Sequence, residues 1–291
     1  MTLNKMRSEP LSNDVKNKQR RAVRRHRLFR SRATIFTWWL VIVAGTLAVW
    51  QYGPESNWLR DKLPFFDPFF ISSPSRIWVY MGKLMTGSNG ISSVWPFLGY
   101  TLRATLIGVG AGVLAGVAVG LLLSHSETTA KVFAPFITLI NATPRIAIIP
   151  IIAIIAGPTI TTTAISSFLV VFFIAFYNGY AGGRSVRPEI IQNARLLGAS
   201  PIEIMLQIRL PYVAAWTFAS LPNAISFGLT TVVTAELLTG QPGMGQLITD
   251  ALTNSNATLT FSVVVLLAVA GLLLVIASDA VQKRVLHWWE R

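Results

Sequence analysis

The chain has 291 residues, of which 52% are hydrophobic and only 13% are charged. Soluble domains carry about 25% charged residues, so the composition excludes an ordinary soluble protein and indicates an all-α protein that crosses a membrane several times. Cysteine is absent, which excludes disulfides and thiolate metal sites, and His26, His125 and His287 lie outside the apolar runs, so we expect no metal site.

The first 32 residues form a basic tail, with eleven lysines and arginines against two acidic residues, Glu9 and Asp14. The positive-inside rule predicts that such a tail stays in the cytoplasm. Attraction to anionic lipid is a second interpretation. No interleaved aromatic residues or recognisable fold support nucleic-acid binding, so we expect no nucleic-acid partner. We also expect no cleaved signal peptide, because no small-residue cleavage site follows Trp50.

A first membrane span is predicted at residues 33–50, with tryptophans near both ends as interface anchors. Residues 51–96 follow as an external segment. A helix start occurs there at Ser73-Pro74. Three apolar residues after it share one face and predict a short helix on the membrane surface: Ile77, Met81 and Leu84.

Residues 97–281 hold five further predicted spans, at 97–123, 132–156, 159–180, 211–238 and 259–280, before a short basic end at 282–291. Lys131, Arg184 and Lys283 fall in connections on the same side as the tail. Both termini are therefore expected in the cytoplasm.

The second span repeats glycine at every fourth position, which places the glycines along one side of the helix. Such a row lets another helix approach closely. We interpret these residues as a helix-packing face: Gly108, Gly112, Gly116 and Gly120.

The third span contains Pro135, Pro144 and Pro150, which predicts a helix bent or broken inside the membrane. Polar residues here and in the fifth span are candidates for lining a solute pathway: Asn141, Thr143, Arg145, Asn223, Ser226, Thr230 and Glu236. A charge at this depth is costly unless it is paired or hydrated. Two interpretations of Arg145 stay open: it attracts a solute, or it braces freed backbone carbonyls or Glu236. Glu236 lies toward the outer end of its span and could simply reach interfacial water, while serine and threonine commonly bond their own helix.

The stretch between the fourth and fifth spans carries the signals for two helices. Pro188 and Glu189 suit a first turn, Gly198 is a natural stop, and Ser200 to Glu203 form a capping box. A simple connection does not need two sets of caps, so we predict an amphipathic docking segment for a cytoplasmic partner. Its candidate residues are Pro188, Glu189, Ile190, Gln192, Asn193, Ala194, Leu197, Gly198, Ala199, Ser200, Pro201 and Glu203. Ile190, Ala194 and Leu197 are expected to share one face.

The glycine-rich sequence GQPGMG at 240–245 lacks the Lys-Ser/Thr ending of a phosphate loop. We interpret it as part of an outer loop, and we expect no nucleotide site on this chain.

The spacing from Gly198 to Ile208, Leu210 and Pro211 resembles the later part of the signature of binding-protein-dependent ABC importer permeases. That signature opens with Glu-Ala-Ala, where this chain has Gln192, Asn193 and Ala194, so the acidic residue is absent. Over residues 72–280 the motifs ISSPSRIW, NATPRIAIIP, FYNGYAGGRSV and TAELLTGQPGMGQLI are similar to the nitrate, sulfonate, taurine and thiamine-precursor branch.

The resemblance implies a type I importer permease fold with six transmembrane helices and a cytoplasmic coupling helix at about 188–198. It also implies a bacterial inner-membrane location and an assembly of two permease copies, two ATPase subunits that bind ATP and Mg, and an external solute-binding protein. No cofactor and no enzymatic activity are then expected on this chain. The expected solute is small and polar or anionic, such as nitrate, a sulfonate or taurine, and a vitamin precursor such as a thiamine pyrimidine is the alternative. A self-sufficient secondary transporter is a further alternative, although no inverted repeat or mid-membrane coupling carboxylate is evident.

Overall fold

The computed structural model describes residues 34–63, 66–67, 70–88 and 90–286, and these are helical with no β-strand among them. The basic tail at 1–32 and the last five residues lie outside the described part of the chain. The chain divides into two units, residues 1–75 and 76–291.

The first unit is built around one long apolar helix. Helix α1 (Thr34–Glu55) has 22 residues, enough to cross a membrane as predicted, and α2 (Asn57–Lys62) follows it. Gln51 exchanges two hydrogen bonds with Ser75: its amide donates to the hydroxyl at 2.9 Å, and the Ser75 backbone N–H donates to its carbonyl at 3.1 Å.

The second unit carries the remaining helices. They are α3 (Pro74–Thr86, whose first two residues precede the unit boundary), α4 (Trp95–His125), α5 (Glu127–Ala142), α6 (Arg145–Ala156), α7 (Ile160–Arg184), α8 (Pro188–Leu196), α9 (Pro201–Thr239), α10 (Met244–Thr253) and α11 (Ala257–Val285). Within the described residues, five helices (α1, α4, α7, α9 and α11) are long and apolar enough to span a membrane. The pair α5 and α6 makes a sixth if it is counted as one span.

The predicted break in the third span is present, and Pro144 marks it. The axes of Thr128–Ala142 and Arg145–Ala156 differ by 85°. Thr143 is extended, with ψ of 130°, because a residue before proline is excluded from the helical region. Pro135 and Pro150 instead lie inside α5 and α6.

Helices α4, α7 and α9 pack together as the centre of the second unit. The four glycines of the predicted packing face, Gly108, Gly112, Gly116 and Gly120, are all buried and face α7. A Cβ added at Gly116 would lie 2.5 Å from the backbone oxygen of Phe172, and one at Gly120 would lie 2.6 Å from that of Phe176. The two backbones are therefore in direct contact, which only residues without a side chain allow.

Two smaller helices complete the second unit. Helix α3 starts at Pro74 as predicted, and its face of Ile77, Met81 and Leu84 is buried. Helix α10 lies in the segment that the sequence predicts to be an outer loop. It is short and buries one side, formed by Met244, Leu247 and Ala251.

Candidate functional site: the docking segment and the polar residues of the spans

Helix α8 begins where the sequence predicts, with Pro188 in its first turn and Glu189 next to it. None of its nine residues is buried. The ion pair between Arg187 and Glu189, at 3.7 Å, is largely exposed and contributes little to stability. A helix that buries no side chain within its own chain is held by its ends and is open to a partner.

Both caps predicted for the docking segment are formed. Gly198 is left-handed, with φ of +86°. Its N–H donates to the carbonyl of Arg195, and the N–H of Ala199 donates to that of Ala194, each at 3.0 Å, which is the Schellman pattern that closes a helix. The capping box between Ser200 and Glu203 then starts α9.

The turn between α8 and α9 exposes an apolar patch, which we define as Leu196, Leu197 and Ile202. Their exposed fractions are 86%, 88% and 65%. Leu197 points outward, while Ala194 of the same predicted face is half-buried. Leu196 and Ile202 were not among the predicted residues. Two leucines directly before a helix-ending glycine are a signal that would have indicated Leu196.

The docking segment runs without interruption into the fifth span, whereas the sequence predicts that this span begins at Pro211. The first turns of α9 contain a π-helical stretch, Ile204–Arg209. Wider turns of this kind accommodate irregularities inside a helix, here the missing N–H of Pro211. Arg209 is 8% exposed and donates from Nη1 to the carbonyl of Ser124 in the last turn of α4. This contact attaches the base of the docking segment to the α4 end.

Arg145 lies at the start of α6, directly after the break. Its Nη2 donates to the side-chain oxygen of Asn141, and its guanidinium lies over the ring of Phe173, 5.2 Å from the centroid. The side chain is half-buried, and among the described residues its Nε has no hydrogen-bond partner. Thr143 is exposed and donates to the carbonyl of Leu139.

The predicted polar residues of α9 divide between two sides of the helix. Asn223, Ser226 and Thr230 lie on one exposed face. Ser226 donates to the carbonyl of Pro222 and Thr230 to that of Ser226, at 2.9 and 2.8 Å, so both hydroxyls bond their own helix, as the alternative interpretation expects.

Glu236 lies on the other side of α9 and is 0% exposed. Its carboxylate accepts hydrogen bonds from the Thr101 hydroxyl and the Gly245 backbone N–H. Within the described chain Arg145 is not among its partners, so the structure brings Arg145 and Asn141 together and leaves Glu236 apart. No cluster of three histidine, aspartate or glutamate side chains able to hold a metal occurs in the described ranges.

Comparison with known proteins identifies the family. Residues 108–290 match the family of binding-protein-dependent transport system inner membrane components. The taurine transport system permease protein of Escherichia coli is 26% identical over 250 residues, covering 84% of this chain and 87% of that protein. The riboflavin transport system permease protein of Chloroflexus aurantiacus is 24% identical over 246 residues, covering 83% and 86%.

A solved structure has the same fold. It is an inward-facing form of a methionine ABC transporter, with a TM-score of 0.59 and 19% identity, covering 66% of this chain and 95% of that chain. The all-helical fold with five or six apolar helices is thus that of a type I importer permease. Because the family match spans more than half of the chain, the protein belongs to the binding-protein-dependent transport system inner membrane components, the multi-pass permeases of ABC importers.

Proposed function

We propose that two copies of this chain form the membrane pathway of an importer for a small anionic or polar solute. An external binding protein delivers the solute, and two ATPase subunits on the cytoplasmic side drive the transport. ATP and Mg then bind the ATPase subunits, and this chain needs no cofactor and catalyses no reaction of its own. Both termini lie in the cytoplasm, because the basic connections lie on their side.

The observation that carries the anionic substrate is the guanidinium of Arg145 at the helix break. A cation within the membrane costs about 3 kcal/mol on insertion scales unless it is compensated. Asn141 and Phe173 compensate it in part, and neither carries a negative charge. The Nε atom is buried and has no hydrogen-bond partner among the described residues, and guanidinium groups bind oxyanions through several parallel hydrogen bonds. An anionic solute would supply both the charge and the acceptors.

The exposed polar face of α9 supports a pathway between two copies. The exposed side-chain amide of Asn223 would be placed unfavourably against lipid, because polar groups in a membrane face protein or water. Ser226 and Thr230, whose hydroxyls bond their own helix, extend the same face and add less to this cost. A second copy that covers this face and leaves a hydrated channel beside it resolves the problem.

The apolar patch of the docking segment supports an ATPase partner. Leu196, Leu197 and Ile202 form a compact exposed cluster at the end of a rigidly capped helix, and such clusters on otherwise polar segments mark protein contacts. The Arg209 contact with the end of α4 connects this surface to the helices that pack at the centre of the unit.

Two classes of solute are candidates for the substrate. Taurine carries a sulfonate, so the similarity to a taurine permease agrees with an anion attracted by Arg145. The similarity to a riboflavin permease favours the second candidate, a vitamin or vitamin precursor. Thermal-shift titration of the cognate binding protein with taurine, nitrate, riboflavin and a thiamine pyrimidine distinguishes them.

The first prediction tests the pathway role of Arg145. In proteoliposomes that contain the whole complex, Arg145→Ala and Arg145→Glu should lower uptake of the anionic solute at least about tenfold, because the attracting charge is lost. Arg145→Lys keeps the positive charge but loses the planar guanidinium, which can donate two parallel hydrogen bonds to an oxyanion. This variant should retain partial uptake.

Asn141→Ala is the matched control, because it removes the partner of Arg145 and leaves the cation in place. We expect uptake within about fivefold of the wild type, since one neighbouring hydrogen bond is worth roughly 1 kcal/mol. Assembly is followed by size-exclusion chromatography. Normal uptake by Arg145→Ala, or a complex that dissociates, would show that Arg145 is a structural brace.

A further inference from the structure

Glu236 is a buried carboxylate that neither the docking segment nor the polar pathway face requires. It accepts hydrogen bonds from Thr101 at 2.8 and 3.0 Å and from the Gly245 backbone N–H at 2.9 Å. Gly245 lies in the first turn of α10, which begins at Met244. We propose that Glu236 caps α10 from the neighbouring helix α9 and thereby holds the outer segment in the orientation that the external binding protein engages.

The direction of the hydrogen bonds explains why a carboxylate occupies this position. The Met244 N–H donates to the Thr101 hydroxyl oxygen at 2.9 Å, and that hydroxyl donates its own hydrogen bond to Glu236. Every group that faces the Glu236 oxygens is therefore a donor. An ionised carboxylate only accepts hydrogen bonds, whereas an amide of the same shape would direct its own N–H groups at a donor.

The position also has a favourable electrostatic setting. The first N–H groups of a helix have no partner within the helix and carry a partial positive charge. Two of those of α10 are satisfied here, one directly by Glu236 and one through Thr101. A negative charge on Glu236 is stabilised here by the end of a helix and by the Thr101 hydroxyl, and Glu236 and Thr101 are both 0% exposed.

Glycine allows the outer segment to approach the carboxylate. A Cβ at Gly245 would lie 2.6 Å from the Glu236 Cβ and 2.7 Å from the backbone oxygen of Val233, and one at Gly243 would overlap the carboxyl group itself. Gly243 and Gly245 of the GQPGMG sequence therefore allow close contact with a side chain of α9.

A second contact joins the same elements. The Tyr100 hydroxyl donates to the side-chain oxygen of Gln241 at 2.7 Å, and Gln241 is 3% exposed. Consecutive residues of α4, Tyr100 and Thr101, thus hold both the loop before α10 and its first turn. The outer ends of α4, α9 and α10 are linked as one unit.

The linked segment presents a surface outward. Thr249, Asp250 and Leu252 of α10 are exposed, Leu252 at 64%, and they lie beyond the buried side that packs on the core. The proposed function places this segment on the side of the binding protein, and the inference rests on that assignment. Displacement of α10 would then change how the complex responds to its binding protein before it changes ATP hydrolysis itself.

The test uses the purified complex in lipid nanodiscs and the solute-loaded binding protein as the ligand. Glu236→Gln and Thr101→Val should each raise the concentration of binding protein for half-maximal stimulation of ATP hydrolysis by about tenfold. Basal hydrolysis should stay within about twofold. Together the two substitutions should have less than the sum of their separate effects, because they break one network.

Thr105→Val is the matched control. It is the same substitution one turn along α4 at a buried threonine whose hydroxyl only donates to the carbonyl of Thr101 in its own helix, and it should leave the half-maximal concentration unchanged. If Glu236→Gln does not assemble, Thr101→Val carries the test, since it keeps the carboxylate and the side-chain shape.

Hydrogen exchange separates this inference from the proposed function. In the assembled Thr101→Val complex the amides of Met244 and Gly245 should exchange faster than in the wild type, by about tenfold. A wild-type complex that no binding protein stimulates would contradict the proposed function while this exchange still reports on the cap. Either of two results would overturn the inference. One is unchanged amide exchange together with an unchanged binding-protein concentration for half-maximal stimulation. The other is a loss of basal hydrolysis equal to the loss of stimulation.

Discussion

Single glycines in this chain serve two different physical needs. A Cβ at Gly198 would have no atom within 4 Å, so space is free there and the requirement is the left-handed backbone, with φ of +86°. At Gly245 φ is not in the left-handed region, and the requirement is close approach to Glu236. The two cases respond differently to substitution, because a backbone requirement is met by asparagine and a space requirement is not.

The Gly198 case gives the second prediction. Gly198→Val places a β-branched residue in the left-handed region at a cost of about 1–2 kcal/mol or more, so the chain should leave α8 in another direction. The spans are untouched, and the complex should still insert. We expect solute-stimulated ATP hydrolysis to fall about tenfold, measured in nanodiscs against basal hydrolysis.

Gly198→Asn is the control for this substitution. Asparagine tolerates the left-handed conformation, so the Schellman closure should persist and coupling should stay near the wild-type level. Normal coupling in Gly198→Val would contradict the assignment of α8 as the coupling element.

At the scale of whole elements, α4 and α7 share the most extensive helix contact of the described second unit. Its closeness comes from the glycine row, and backbone atoms of α7 lie where side chains of α4 would otherwise be. Contact at this distance gains dispersion energy along the full length of both helices, which replaces the hydrophobic driving force that is absent in lipid.

Gly116→Leu is the third prediction and tests this contact. A leucine would have to occupy the space of the Phe172 carbonyl oxygen, 2.5 Å from the Cβ position, so α7 must move away. Overpacking of a well-packed contact costs about 1–3 kcal/mol when the neighbours can adjust, and backbone atoms adjust less than side chains. We expect no stable complex on size-exclusion chromatography.

Gly110→Leu is the matched control on the same helix. A Cβ at Gly110 would meet no atom within 4 Å, and the residue is exposed. This variant should assemble if the glycine row, and not glycine in general, makes the packing face. An active Gly116→Leu transporter would contradict the packing interpretation.

The helices and caps could be predicted from sequence because their causes are local. Apolar length, a proline at a first turn, a glycine at an exit and a capping box each act within a few residues. The break at Pro144 needed the structure, because three prolines in one span are equivalent by local rules. The Arg209–Ser124 and Thr101–Glu236 contacts join residues 85 and 135 positions apart, and no periodicity reports such pairs. Burial of Glu236 could not be predicted for the same reason.

For the whole molecule, charge and polarity are distributed in a way that only an assembly satisfies. The second unit buries its glycine row and Glu236 internally, yet it leaves the polar face of α9 and the apolar patch beside α8 exposed. The polar face is unfavourable against lipid and the apolar patch is unfavourable against water. The proposed function assigns each of these surfaces a different partner, a second copy within the membrane and an ATPase subunit in the cytoplasm. The net charge of +13 is concentrated at the amino end of the sequence.

The last prediction concerns that basic tail. Deletion of residues 2–26 removes most of the lysines and arginines of the tail but leaves Arg27, Arg30 and Arg32 directly before α1. Charges within about 15–20 residues of a span determine its orientation, so the shortened chain should insert normally and uptake should stay within about twofold of the wild type. Replacing the three remaining arginines by glutamine in the shortened chain should disturb the orientation of α1, measured by protease accessibility of an amino-terminal tag in inside-out vesicles. If the deletion alone prevents assembly with the ATPase subunit, the tail is a partner-binding element. If it lowers uptake only in membranes rich in anionic lipid, attraction to the lipid surface, at about 1 kcal/mol per basic residue, is its function.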